Sequence, residues 1–88
     1  MATATVYTTM FCGFCARAVS LLRAKGVEID EIAAGFDSNA KAEMIERSGG
    51  RATFPQIFIG ERHVGGCDDL MALDRSGELD ALLADAAP

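Results

Sequence analysis

Between residues 3 and 25 the sequence changes its period once, and the change falls on a pair of cysteines. Thr3 to Thr8 is rich in β-branched residues and includes Tyr7, the composition of a short strand. Over residues 13–25 the spacing becomes helical. Cys15, Val19 and Leu22 recur at i, i+4 and i+7, with Arg17 and Arg23 on other faces. Lys25-Gly26 gives that helix a cation for its last turn and a glycine to end it. Cys12-Gly13-Phe14-Cys15 therefore occupies a strand-to-helix junction. A helix start offers unpaired backbone N–H groups and the positive end of the dipole, a location that favours the thiolate form of a cysteine. Cys15 lies one turn further on and points to the same side, so the two sulfurs can close a small disulfide.

The remaining segments complete a single small α/β fold. Val27 to Ala33 alternates apolar and acidic residues, a second strand. Asp37 or Ser38 caps a second helix running to about Ser48, with Met44 and Ile45 on its buried side and Gly49-Gly50 after it. Gln56 to Ile59 is an apolar strand, and Gly60-Glu61 turns it into Arg62-His63-Val64, a hairpin. Asp68 or Asp69 opens a helix carrying Leu70, Met71 and Leu73, and Leu79, Leu82 and Leu83 stripe a last one beyond Ser76-Gly77. A strand–helix–strand unit followed by a hairpin makes a four-stranded mixed sheet flanked by helices. With 88 residues, the chain has room for one domain, 1–88, and for one core.

Charge narrows the function classes. The net charge of −5 argues against nucleic acid, whose phosphates demand a basic surface. The distribution is uneven: residues 1–25 carry Arg17, Arg23 and Lys25 and no acid, whereas all 13 acids lie beyond them. No segment approaches the ~18 uninterrupted apolar residues of a membrane span, and the N-terminus lacks the basic and apolar parts of a signal peptide. These features predict a cytoplasmic protein, in which three cysteines are not structural disulfides.

Three segments carry chemistry. The Cys-x-x-Cys pair at the junction of a β-α-β unit favours thiol redox chemistry over a pair of buried apolar cysteines. Cys12, Cys15, His63 and Cys67 also spell a zinc set, although a helix, a strand and another helix separate its halves, unlike the short loops of zinc ribbons. Phe54-Pro55 precedes a strand; a cis bond there would expose the Phe54 backbone N–H and C=O to an extended peptide, and cis and trans remain open. Gly65-Gly66-Cys67-Asp68-Asp69 lets the backbone approach a ligand, offers a helix start to a carboxylate and places Asp68 where an ammonium group would bind. The alternative for this segment is a loop with an N-cap acid, Cys67 being a small buried residue.

Taken together, Val6-Tyr7-Thr8, Cys12-x-x-Cys15, Thr53-Phe54-Pro55-Gln56-Ile57-Phe58-Ile59 and Gly65-Gly66-Cys67-Asp68-Asp69-Leu70 resemble the glutaredoxin family, closest to its small bacterial dithiol members. The resemblance implies a thioredoxin-like fold with strand order 2-1-3-4, a cis Pro55 and a glutathione site. It makes Cys12 the nucleophile and Cys15 the resolving cysteine, with Phe14 beside the glutathione. It assigns the Phe54 backbone to the cysteinyl part of glutathione, Cys67 and Asp68 to its γ-glutamyl end, and Arg51 to its glycine carboxylate. The family's usual Cys-Pro-Tyr-Cys is here Cys12-Gly13-Phe14-Cys15, and Thr9 stands where a lysine is common, so that any compensating cation would be Arg17 or Arg51.

In function, the resemblance implies a glutathione-dependent thiol–disulfide oxidoreductase acting, as a monomer, on disulfide-bearing or glutathionylated proteins. The alternative it implies is an iron–sulfur carrier or sensor. In that form two Cys12 thiolates and two glutathiones hold a [2Fe–2S] cluster across a dimer, as in members lacking the active-site proline.

Overall fold

Alternation in the first strand sorts its residues onto two faces, and the two faces build two cores. The computed structural model describes residues 3–86. In chain order they form β1 (Thr3–Thr8), α1 (Gly13–Ala24), β2 (Glu28–Ala33), α2 (Ser38–Arg47), β3 (Gln56–Ile59), β4 (Arg62–Gly65), α3 (Cys67–Ser76) and α4 (Glu78–Ala86). The sheet order is β2-β1-β3-β4, with β1 parallel to β2, antiparallel to β3, and β3 antiparallel to β4. This is the thioredoxin-like arrangement expected. The single-domain expectation over residues 1–88 includes residues 1–2 and 87–88, which lie outside the described residues.

Ala4 and Val6 pair with Ile59 and Ile57, and this face receives Ala18, Val19 and Leu22 of α1, Leu70 of α3, and Leu79 and Leu83 of α4. Tyr7 pairs with Gln56, and Thr5 with Phe58; on that opposite face Tyr7 and Phe58 pack with Ala34, just past β2, and with Met44 of α2. Burying an aliphatic or aromatic side chain of this size stabilises by roughly 1.5–3 kcal/mol. The Tyr7 phenol is satisfied where it is buried: it donates to Glu43 Oε1 at 2.6 Å and accepts from Arg47 Nη1 at 2.9 Å. Lys25, just past α1, reaches Asp74 Oδ1 at 2.8 Å and Asp80 Oδ1 at 2.9 Å, tying α1 to α3 and α4.

Several boundaries differ from expectation. α3 starts at Cys67, not at Asp68 or Asp69, because Gly66 is the N-cap and the Asp69 carboxylate reaches back to accept its N–H at 2.9 Å. The acids thus sit inside the first turn, where the helix dipole favours them. β2 begins one residue late because the Val27 N–H is taken by Leu22 O at 3.3 Å, part of the closure of α1. For α2 the cap is Asp37, which accepts from the N–H groups of Asn39 and Ala40 at 3.0 and 3.1 Å. His63, in β4, is half-buried and stacked at 4.9 Å on Phe58.

Candidate active site

Cys12 is the N-cap of α1, with extended backbone at φ −104° and ψ 104°. Its Sγ accepts the backbone N–H of Cys15 at 3.2 Å, the bond a capping oxygen would make in an ordinary helix. The two thiols differ in access: Cys12 is half-buried and Cys15 is 4 % exposed. Burial, then the hydrogen bond and charge of Cys12 and the charge of Glu31, push the Cys15 thiol up to about 12, against a backbone hydrogen bond with Thr9. All three cysteines are free. The chain leading in is strained: Phe11 holds φ 56°, a region costly for a bulky residue, with its side chain 99 % exposed. Met10 and Phe14, close by in sequence, are exposed as well.

Two grooves flank this centre. The smaller, about 360 Å³, is lined by Phe14, Arg51, Thr53, Phe54, Pro55, Gly66, Cys67, Asp68 and Asp69. It brings together six of the residues expected to bind glutathione: Phe14, Arg51, Phe54, Pro55, Cys67 and Asp68. The Phe54–Pro55 bond is cis. Ser48 anchors the approach to this groove, its Oγ donating to Arg51 O at 2.9 Å and accepting Arg51 N–H at 3.1 Å. At the start of α3 the two aspartates divide their work. Asp69 caps Gly66 and meets Arg51 Nη1 at 3.5 Å, whereas Asp68 is exposed and has no salt-bridge partner among the described residues. Burial pushes the Cys67 thiol up, opposed by Arg17, so Cys67 remains a protonated, buried side chain; its backbone N–H is among those α3 leaves free at its start.

The larger groove, about 680 Å³, is lined by Cys12 and Cys15 together with Thr8, Thr9, Phe11, Arg23 and Glu31. Thr8 Oγ1 donates to Glu31 Oε2 at 3.3 Å across the parallel pair. Arg51 therefore belongs to the smaller groove, and Thr9, in the place of the family lysine, to the larger.

The zinc set does not assemble. Among the described residues no group of three His, Cys, Asp or Glu side chains converges, and His63 Nε2 is engaged with Gln56 Oε1 at 2.7 Å. The sequence alone assigns no individual site role to Thr53, Gln56 or Glu31, and offers Asp69 as a helix opener in place of the residue that reaches back to Gly66. The Gly66-x-x-Asp69 spacing is the signal for the cap; a glutamine inside an apolar strand was the signal for Gln56. No helix among the described residues is long and apolar enough to cross a membrane.

An accessible helix-capping cysteine with a buried partner one turn on is the centre of a thiol–disulfide oxidoreductase. Residues 4–64 match the glutaredoxin family profile. The chain is 54 % identical over 79 residues to a glutaredoxin of Pseudomonas aeruginosa, covering 90 % of this chain and 93 % of that protein. It is 51 % identical over 83 residues to glutaredoxin 3 of Escherichia coli K12, covering 94 % and 99 %. The crystal structure of a buckwheat glutaredoxin–glutathione complex superposes with a TM-score of 0.84 at 30 % identity, covering 97 % of this chain and 79 % of that one. The chain belongs to the glutaredoxin family.

Proposed function

We propose that the protein reduces disulfides at the expense of glutathione, with Cys12 as nucleophile and Cys15 as resolving thiol. One observation carries this assignment: of the two cysteines, Cys12 caps the helix and is accessible, while Cys15 is buried and keeps its proton. The Cys12 thiolate attacks the glutathione sulfur of a mixed disulfide; the old S–S bond breaks and the substrate leaves as a thiolate. A second glutathione thiolate attacks the same sulfur, releasing oxidised glutathione and restoring Cys12. With a protein disulfide, Cys15 gives up its proton and attacks the sulfur of Cys12 in the mixed disulfide, leaving a Cys12–Cys15 bond for glutathione to reduce. Each step is thiolate exchange, and neither atoms nor electrons come from elsewhere.

The smaller groove fits the tripeptide by its chemistry. The Phe54 backbone offers strand-like pairing, the start of α3 and Arg51 suit carboxylates, and the unpaired Asp68 suits an ammonium group. The buckwheat relative forms a complex with glutathione, which supports glutathione as the ligand of this chain. Three free thiols are in keeping with a reducing, cytoplasmic setting. The test is turnover of a glutathionylated peptide with release of oxidised glutathione; a purified chain that fails to release the peptide thiol overturns the assignment.

A second function is favoured by Gly13, beside which a Cβ would meet nothing within 4 Å. No proline ring covers Cys12 from that side. Cys12 is the residue that would hold iron, two copies and two glutathiones supplying the four sulfurs of a [2Fe–2S] cluster, since no set of three ligands converges among the described residues of one chain. The cluster would supply electron storage or be passed on as cargo. Anaerobic reconstitution with iron, sulfide and glutathione should give a brown dimer; a colourless monomer leaves the oxidoreductase alone.

A further inference from the structure

We propose that His63, outside both grooves that flank the cysteines, is a positioning residue for glutathione recognition, acting through Gln56 on the Thr53–Phe54 peptide. The inference rests on the glutathione-dependent function proposed above and names a part of its machinery. Gln56 is fully buried at the start of β3, a costly place for an amide unless every polar atom is paired. Its Nε2 donates twice to one residue, to Thr53 O at 3.0 Å and to Thr53 Oγ1 at 3.0 Å. The orientation of the amide is fixed by this, because a carbonyl oxygen only accepts, so the nitrogen must face Thr53. The Gln56 Oε1 therefore faces His63, and the bond of 2.7 Å between them requires a proton on His63 Nε2.

The consequence lies one peptide further on. Thr53 O belongs to the same planar unit as the N–H of Phe54. That peptide is trans, the cis bond being the next one, so its N–H points opposite to its carbonyl. Pinning Thr53 O toward Gln56 thus aims the Phe54 N–H the other way. Thr53 and Phe54 both line the smaller groove, where this N–H is the donor an extended ligand would pair with. His63 closes the chain from the neighbouring strand: stacked on Phe58, it holds Gln56 Oε1 and so prevents the amide from turning away from Thr53. Burial and the charge of Arg51 lower the His63 pKa, against the charge of Asp69, so the ring is neutral in its Nε2–H form around pH 7.

The test is steady-state kinetics on a glutathionylated peptide with His63→Leu, which removes the donor, and His63→Gln, whose amide nitrogen restores it. His63→Leu should raise KM for the glutathionylated peptide about fivefold, the effect of losing one well-aimed hydrogen bond, with kcat within about twofold of the unaltered chain. His63→Gln should return KM to near its original value. A KM unchanged in His63→Leu overturns the inference while leaving the oxidoreductase function in place. So does a rise that His63→Gln fails to rescue, since packing alone would then explain it. Absence of turnover in the unaltered chain overturns both. Should His63→Leu fail to fold, His63→Phe, which keeps a ring against Phe58 and lacks the donor, is measured in its place; it must show the same rise in KM with kcat retained, and an unchanged KM overturns the inference.

Discussion

The backbone N–H of Cys15 donates to the sulfur of Cys12 at 3.2 Å, so one cysteine fixes the position of the other's sulfur while its own thiol stays buried. The pair is asymmetric by construction, and the asymmetry can be tested by removing each sulfur in turn.

Cys12→Ser should reduce turnover of a glutathionylated peptide to background, because the accessible sulfur is gone. Cys15→Ser should retain that turnover and lose most reduction of a two-cysteine protein disulfide. Parallel assays of both substrates on both variants check this; full deglutathionylation by Cys12→Ser would reverse the assignment of roles.

Asp68 and Asp69, adjacent in sequence, should separate in their effects. Asp68→Ala removes a carboxylate that faces the smaller groove without a partner, and should raise the Michaelis constant for glutathione roughly tenfold, the worth of one charge-assisted contact of about 1.5 kcal/mol. Asp69→Ala removes the cap on Gly66, and should cost about 1 kcal/mol of stability, read in urea unfolding. Equal effects of the two variants on both measurements would contradict the division.

The raised Cys15 pKa predicts a pH dependence of stability. In the unfolded chain the thiol ionises near its ordinary 9.0, whereas in the fold it stays protonated to about 12. Above 9.0 the unfolded state binds fewer protons, so the contribution is complete below that pH and is lost progressively as pH rises toward 12. Cys67, also raised, acts in the same direction. Urea unfolding of the reduced protein should show stability falling between about pH 8.5 and about pH 10.5, with a shallower fall in Cys15→Ala. Equal slopes in the two proteins would remove Cys15 from the account.

Tyr7→Phe should destabilise by about 1–2 kcal/mol in chemical denaturation, because the phenol is buried and bonded to both Glu43 and Arg47. The Glu43 carboxylate and the Arg47 guanidinium are left 4.0 Å apart and partly exposed, with Arg47 still 4.3 Å over the Phe58 ring. A variant as stable as the parent would show that these bonds merely replace those to water.

The elements and the cysteine pair were legible because they are written locally. Period changes at Cys12, glycines at Gly26 and Gly77, and the alternation of Thr3–Thr8 each act over a few residues. Strand order was not local, and came from the resemblance of the Cys12, Phe54-Pro55 and Gly65-Gly66 segments taken together. What escaped was long-range or self-concealing. Glu31 enters the larger groove only because β2 lies beside β1, bringing it to Thr8 from 23 positions away. The start of α3 misled because two aspartates look like caps, whereas the cap is a glycine with no side chain and Asp69 works backward from inside the helix. Gln56 was hidden in an apolar run, its role visible only once Thr53 and His63 are placed around it.

Gly65 is where freedom to vary ends. It holds φ 118°, and a Cβ there would clash with Asp69 Oδ2 and stand 3.1 Å from Arg51 Nη1. One added methyl would push on the cap of α3, the cation of the smaller groove and the last residue of β4 together. The glycines at 49, 50 and 60 also have positive φ, but a Cβ at any of them meets open space. A lineage of such chains could therefore trade backbone strain for side chains at those three positions one step at a time. At position 65 a side chain would meet backbone strain and, in the same step, displace the Asp69 carboxylate and the Arg51 guanidinium that meet beside it.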